Sequence, residues 1–250
     1  MIQGKMMTGC CTLPPREAPA IPLWINGRPV LAMPTMFHEI REAATQRLIR
    51  RVPMVDQVLA ATAVANASQA QGLSPEATRS FLDSLVVALD ELAAHFAGLS
   101  AVETQTHLES GKADVANAIA SVQTLITQCA SGSVSPNNGA GQSTLALAGP
   151  GMPLSAAIRL VLPVVTSGGA VTLVPDADAP SCALALAELC GQCGLTDGLF
   201  NVVYVQYPVA LALVQESGVS QVRLFGPSAW AQRWQAAALN WAIPCELVLA

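Results

Sequence analysis

Ser167-Gly168-Gly169-Ala170-Val171-Thr172-Leu173-Val174-Pro175 decides the fold. A glycine turn opens an apolar, largely β-branched run without charge, and a proline closes it. That is the pattern of a strand buried on both faces, as strands of parallel sheets are. Apolar helical segments flank it at 153–165 and 179–192. Further out, Thr144–Ala148, Asn201–Val205, Gln221–Phe225 and Glu246–Leu249 read as strands, with helices at 208–217 and 228–239 between them. Strands alternating with crossovers of helical length specify a parallel sheet with helices on both faces.

The first half is built differently. Leu23–Val30 reads as a hairpin around Asn26-Gly27, the strongest short-range hairpin signal. Phe37–Arg41 and Leu48–Val52 read as a second hairpin around Ala43-Ala44-Thr45. Val55–Gln71 has apolar residues at helical spacing. Ser74-Pro75-Glu76 supplies a cap, a first-position proline and a first-turn acid for a helix expected to reach about Ala97. In 113–130, Val115, Ile119, Val122, Ile126 and Cys129 share one helical face. The expected organisation is a flexible leader (1–20), a hairpin and helical part (21–130), an uncharged linker (131–143) and a parallel α/β part (144–250). The fold class is α/β: a doubly wound, Rossmann-like parallel sheet with N-terminal hairpins and helices packed on it.

Composition narrows the function classes. The chain is 52% hydrophobic and 12% charged, where soluble domains carry about 25% charged residues. Apolar surface is therefore expected to be left for a protein partner. The net charge is −5, and after Lys112 the only cations are Arg159, Arg223 and Arg233, so nucleic acid is not an expected partner. Seven irregularly spaced cysteines without a secretory signal point to reduced thiols and a cytoplasmic setting. Pro14-Pro15 breaks the N-terminal stretch, which is too short for a signal core. Pro163 and the Ser167–Gly169 turn interrupt the longest apolar run, which falls short of the roughly 18 residues of a span, so no transmembrane segment is expected.

Several local patterns together resemble the N-terminal, cofactor-binding half of an aldehyde dehydrogenase. They are Trp24-Ile25-Asn26-Gly27, Glu42–Pro53, Leu108-Glu109-Ser110-Gly111-Lys112, Pro153-Leu154, Gly168–Leu173, Ala187-Glu188-Leu189-Cys190, Gly194-Leu195, Gly198 and Asn201-Val202-Val203. The resemblance implies NAD(P) at the strand ends and a following catalytic domain that supplies a cysteine nucleophile. The sequence stops at Ala250, and the expectation is of a scaffold from which that domain is absent.

The family's chemical positions differ here. Its Trp-Asn-Phe-Pro turn supplies an oxyanion amide, and the matching turn is Pro150-Gly151-Met152-Pro153. Losing one such donor costs on the order of 100- to 1000-fold in rate. The family's ribose-binding lysine, with the Pro-Ser-Glu that follows, is replaced by Val174-Pro175-Asp176-Ala177. Asp176 could accept from ribose hydroxyls, or with Asp178 it could cap the helix near Ala179. The family's pyrophosphate turn becomes Gly226-Pro227-Ser228-Ala229-Trp230-Ala231, in which Pro227 offers no N–H and Trp230 is bulky. Val248 stands where the family carries a general-base glutamate. The matched cofactor positions are thus Val174, Pro175, Asp176, Gly226, Pro227, Ser228 and Trp230, in degenerate form.

No catalytic residue is assigned. Cys245 reads as a packing residue, and Cys190 and Cys193 have half the spacing of a zinc site without a second Cys or His pair, so no metal is expected. The leading expectation is a non-catalytic, aldehyde-dehydrogenase-like subunit that binds no cofactor and serves a protein complex, as a homo-oligomer or beside a catalytic subunit. Trp230, Trp234 and Trp241 are candidate anchors for the partner. The alternative is a truncated or split enzyme component that retains NAD(P) and takes its cysteine from another chain. A gene remnant is a third reading.

Overall fold

Asn26 and Gly27 both have positive φ, 53° and 71°, as a two-residue hairpin turn requires. They fold β1 (Leu23–Ile25) antiparallel onto β2 (Arg28–Val30). A Cβ at position 27 would lie 1.9 Å from Asp197 Oδ1, so any larger residue would also have to push that side chain aside. The computed structural model describes residues 20–42, 44–133, 139, 141–215, 218–238 and 243–248. The second hairpin, β3 (Met36–Arg41) with β4 (Leu48–Met54), forms its own two-stranded sheet.

Helix starts follow their caps. Asp56 accepts from Leu59 N (3.0 Å) at the head of α1 (Gln57–Gln69), and Ser74 Oγ accepts from Ala77 N (3.2 Å) at the head of α2 (Pro75–Glu91). The helix expected to reach Ala97 instead stops at Glu91. Leu92 leaves the helical region, and α3 (Ala93–Thr104) departs at 69° to α2. Neither proline nor glycine marks that break. It lets α3 lie along α4 (Leu108–Ala130) and bury Phe96 and Ala97. α4 starts at Leu108, ahead of the expected 113, and takes Gly111 into its first turns, where a Cβ would lie 2.2 Å from the Ala97 carbonyl oxygen.

The second half runs β5 (Ser143–Ala148), α5 (Pro153–Thr166), β6 (Ala170–Val174), α6 (Ser181–Gln192), β7 (Phe200–Val202), α7 (Tyr207–Leu213), β8 (Val219–Phe225), α8 (Ser228–Ala238) and β9 (Cys245–Leu247). β7 and α7 are shorter than expected, and 216 and 217 lie outside the described residues. Pro163 is tolerated inside α5 because the carbonyl it cannot serve, that of Arg159, accepts from Arg223 Nη1 (3.4 Å). Strand order in the seven-stranded sheet is β2-β1-β7-β6-β5-β8-β9. From β7 to β9 all pairs are parallel, and β1 adds antiparallel to β7. Asn201, fully buried on β7, fixes that junction by accepting from Asn26 N (2.8 Å) and donating to Gly198 O (2.9 Å).

α5 and α6 cover one face beneath α3 and α4, while α1 and α7 pack together on the other. The winding direction reverses between β5 and β8, the place where a ligand crevice forms in such sheets. The layers are joined by Asp114 of α4, which is 1% exposed. Its carboxylate accepts from Ser155 N (2.9 Å), Leu154 N (3.0 Å) and Ser100 Oγ (3.1 Å). It thereby caps α5 from another helix. Asp114→Ala strands three buried donors and is expected to cost about 3 kcal/mol or more, since each orphaned group costs roughly 1–3 kcal/mol. Asp114→Asn, which keeps an acceptor, is expected to cost less, as read from urea midpoints of the two variants.

Candidate cofactor crevice

Gly149 follows β5 and Gly226 follows β8, and Gly149 N donates to Phe225 O (2.7 Å), so the two strand ends meet at the reversal point. Trp230, in the first turn of α8, lays its indole over both glycines. A Cβ on Gly149 would lie 2.6 Å from Trp230 Cδ2, and one on Gly226 would lie 2.8 Å from Trp230 Cε3. The bare backbone that could admit a ligand here admits a side chain of the same chain. The ring continues a row: Trp230 to Trp234 (5.9 Å between centroids), Trp234 to Tyr207 (4.6 Å), and the Arg233 guanidinium over Tyr207 (5.0 Å). Such tilted aromatic contacts and a cation over a ring each add about 0.5–1.5 kcal/mol beyond burial.

Of the positions matched from sequence, Gly226, Pro227, Ser228 and Trp230 come together at this crevice. Pro227 O accepts from Ala231 N (2.9 Å) to start α8. Val174 and Pro175 are buried at the end of β6, and Asp176 is half-buried beyond them. Burial pushes the Asp176 carboxyl above its usual range. The capping role read for Asp176 and Asp178 is corrected by the structure. Asp176 Oδ1 accepts from Asp178 N (3.4 Å), Asp178 pairs with His38 Nε2 (2.7 Å), and neither carboxylate reaches α6. The cap of α6 is Glu103 of α3, which accepts from Ser181 N (2.9 Å) and from the Ser181 hydroxyl, with Arg50 Nε at 3.5 Å. Nothing in sequence could pair Glu103 with a helix 78 residues away. Tyr207 was also missed, because only the fold brings it to Trp234. Trp241 lies outside the described residues.

Gly151 is exposed, at φ 135°, and contributes no side-chain donor. Val248 holds to β8 through its backbone, N to Leu224 O at 2.8 Å. Burial pushes every described thiol up, Cys182 and Cys190 furthest, so none is poised as a thiolate. Cys10 and Cys11 lie outside the described residues. Among the described residues, no group of three or more His, Cys, Asp or Glu could hold a metal. No single helix among them is long and apolar enough to cross a membrane.

A dinucleotide does not fit this crevice as it stands. The indole of Trp230 occupies the glycine cradle. Asp114 takes the N-terminal N–H groups of α5, and Glu103 takes that of Ser181 on α6, where an anionic ligand would otherwise find them.

A doubly wound sheet with its crevice at the reversal point defines a dinucleotide-binding class of fold. The family model for the aldehyde dehydrogenase family matches residues 33–247, and the chain belongs to that family. Betaine aldehyde dehydrogenase of Vibrio vulnificus is 36% identical over 76 residues, 30% of this chain and 16% of that protein. 3,6-Anhydro-alpha-L-galactose dehydrogenase of Streptomyces coelicolor is 36% identical over 98 residues, 39% of this chain and 20% of that protein. Among solved structures, lactaldehyde dehydrogenase from Escherichia coli superposes with a TM-score of 0.79 at 19% identity, covering 92% of this chain and 52% of that one. A salicylaldehyde dehydrogenase from Pseudomonas putida G7 gives 0.81 at 14% identity, covering 92% and 51%. The chain thus spans about half the length of these solved enzymes.

Burial raises the Glu103 carboxyl above its ordinary 4.5 against the opposing pull of Ser181 and Arg50. The folded state then binds the proton more tightly than the unfolded state, so this group's contribution is full below pH 4.5 and is lost as pH climbs through the raised folded value. Glu103→Gln removes that dependence. Denaturant midpoints measured from pH 4 to 7.5 are expected to show the variant gaining on the wild type as pH rises. A constant gap would contradict the raised pKa.

Proposed function

We propose that this chain is a non-catalytic, aldehyde-dehydrogenase-like subunit acting as a structural or regulatory protein partner in the cytoplasm. The observation that carries the reading is the Trp230 indole seated on Gly149 and Gly226. A scaffold whose crevice is filled by its own side chain has no use for the cofactor that this family's hydride chemistry requires. The raised thiols and the bare turn at Gly151 support the same reading. A partner-binding role draws on exposed apolar side chains along the segment that runs from β2 into β3: Leu31 (80%), Met33 (96%), Met36 (49%) and Phe37 (37%). Monomeric surfaces rarely cluster such groups without a partner. The partner is either a second copy of the chain or another subunit.

Calorimetry with NAD+, NADH and NADP+ is expected to give no heat up to about 1 mM, which places any binding weaker than roughly −4 kcal/mol. The purified chain is expected to oxidise no aldehyde and to co-purify with a protein partner from its native source. Micromolar cofactor binding would replace this reading with that of a split enzyme component drawing its cysteine from another chain.

A further inference from the structure

We propose that the chain pairs with a second copy of itself along the outer edge of β3, the two strands running antiparallel about a two-fold axis at Phe37, a reading that rests on the partner-binding role above and names its partner.

The β3–β4 ladder fixes which backbone groups are free. Phe37 faces Pro53 and Glu39 faces Arg51. Pro53 has no N–H, Arg51 O accepts from Ile21 N (3.0 Å), and Val55 N donates to Tyr204 O (2.9 Å). The odd-numbered residues of β4 thus turn their backbone groups away from β3. In an antiparallel ladder the residues opposite them turn theirs away as well. The N–H and C=O of Phe37 and Glu39 therefore point out from the far edge of β3, and no backbone group among the described residues meets them there. The outer edge of β4 is taken by the chain itself, and that of β3 is open.

Other edges are guarded. β2, at one border of the seven-stranded sheet, carries Pro29, and β9, at the other, is three residues long. β3 contains no proline, and its bulge falls at the far end, between Ile40 and Arg41. An open edge with exposed apolar side chains at Met36 and Phe37 is a template for another strand.

The side chains select a second copy and its register. Opposed residues share a face of the sheet, so a two-fold axis normal to it must fall between one residue and its own copy. Glu39 on the axis sets like charges against each other, which is destabilising. Ile40 on the axis meets the bulge and the Gln105 side chain, which donates to Arg41 O (3.2 Å). His38 on the axis puts Phe37 across from the copy's Glu39. Phe37 on the axis sets ring beside ring, Met36 across from the copy's His38 and Thr35 across from its Glu39, with no like charges opposed. Each Phe37 N–H then donates to the other copy's Phe37 O.

The test is sedimentation velocity on the full chain at rising concentration, beside two variants. Phe37→Thr keeps the N–H, and Phe37→Pro removes it from the open edge without touching the β3–β4 ladder; circular dichroism checks that each is folded. The wild type is expected to dimerise. Phe37→Pro is expected to weaken the dimer at least about tenfold by removing the symmetric pair of hydrogen bonds, and Phe37→Thr to weaken it less. A dimer untouched by Phe37→Pro, or weakened equally by both variants, would overturn the strand pairing and leave the partner-binding role standing. A monomeric wild type that co-purifies with a different protein would do the same, whereas a monomer that co-purifies with nothing would remove both. Amide exchange in the wild type needs no variant. The Phe37 and Glu39 amides are expected to slow as concentration rises, while those of His38 and Ile40, directed at β4, stay protected throughout. Fast exchange of Phe37 and Glu39 at every concentration would sink the proposal.

Discussion

The carboxylate of Asp114 joins the two halves of this protein. It sits at 1% exposure on α4, and its acceptor capacity is taken up by Leu154 N, Ser155 N and Ser100 Oγ. A buried carboxylate is costly unless hydrogen bonds compensate it, and the N-terminus of α5 supplies both the bonds and the favourable end of a helix dipole. Glu103 repeats the arrangement at α6, one strand further along the sheet. The helical layer and the parallel sheet are therefore fixed by two polar joints within a large apolar contact. The same joints occupy helix N-termini at the sheet's ligand-binding end, so how this fold is assembled and how little anion-binding capacity it offers have one cause.

Trp230 acts on the remaining part of that end. A crevice at a reversal point exists because the helices after β5 and β8 leave toward opposite faces, and the hollow between them must be filled by ligand, water or side chain. Here an indole fills it. Full burial of a large apolar side chain contributes roughly 1.5–3 kcal/mol; Trp230, half-buried, gains part of that, and the tilted contacts to Trp234 and from Trp234 to Tyr207 add to it. A glycine cradle normally costs backbone entropy that ligand binding offsets, and in this chain an intramolecular contact offsets it.

The parallel half could be read from sequence because its central strands are short, uncharged, largely apolar runs between turn residues, and Ala170–Val174 has the expected limits to the residue. The hairpin at Asn26-Gly27 was legible for a similar reason, a backbone geometry that few residue pairs adopt. The break at Leu92 was not, because tertiary packing of α3 on α4 imposes it and no local signal accompanies it. The crevice was half legible. Sequence places a bulky Trp230 and an N–H-less Pro227 at the matched turn, but it cannot show that the indole lies on Gly149, some eighty residues earlier. The capping of α6 was misassigned to Asp176 and Asp178 because they are near in sequence, whereas the actual acceptor, Glu103, is near only in space.

Pro163 and Arg223 show how closed this scaffold is. A proline inside α5 frees the Arg159 carbonyl, and Arg223 reaches it from β8 while also donating to Leu160 O (3.1 Å) and pairing with Glu246 of β9. One of the few cations of the second half thus repairs a helix and pins an edge strand, which leaves it unavailable to a phosphate. Asp114, Glu103, Trp230 and Arg223 share this property: each is chemically able to meet a ligand, and each is bound to its own chain. A polar group satisfied internally gains little from exchanging its partner for a ligand, because the bonds broken match the bonds made. A ligand at this face would need to displace a complete set of internal contacts.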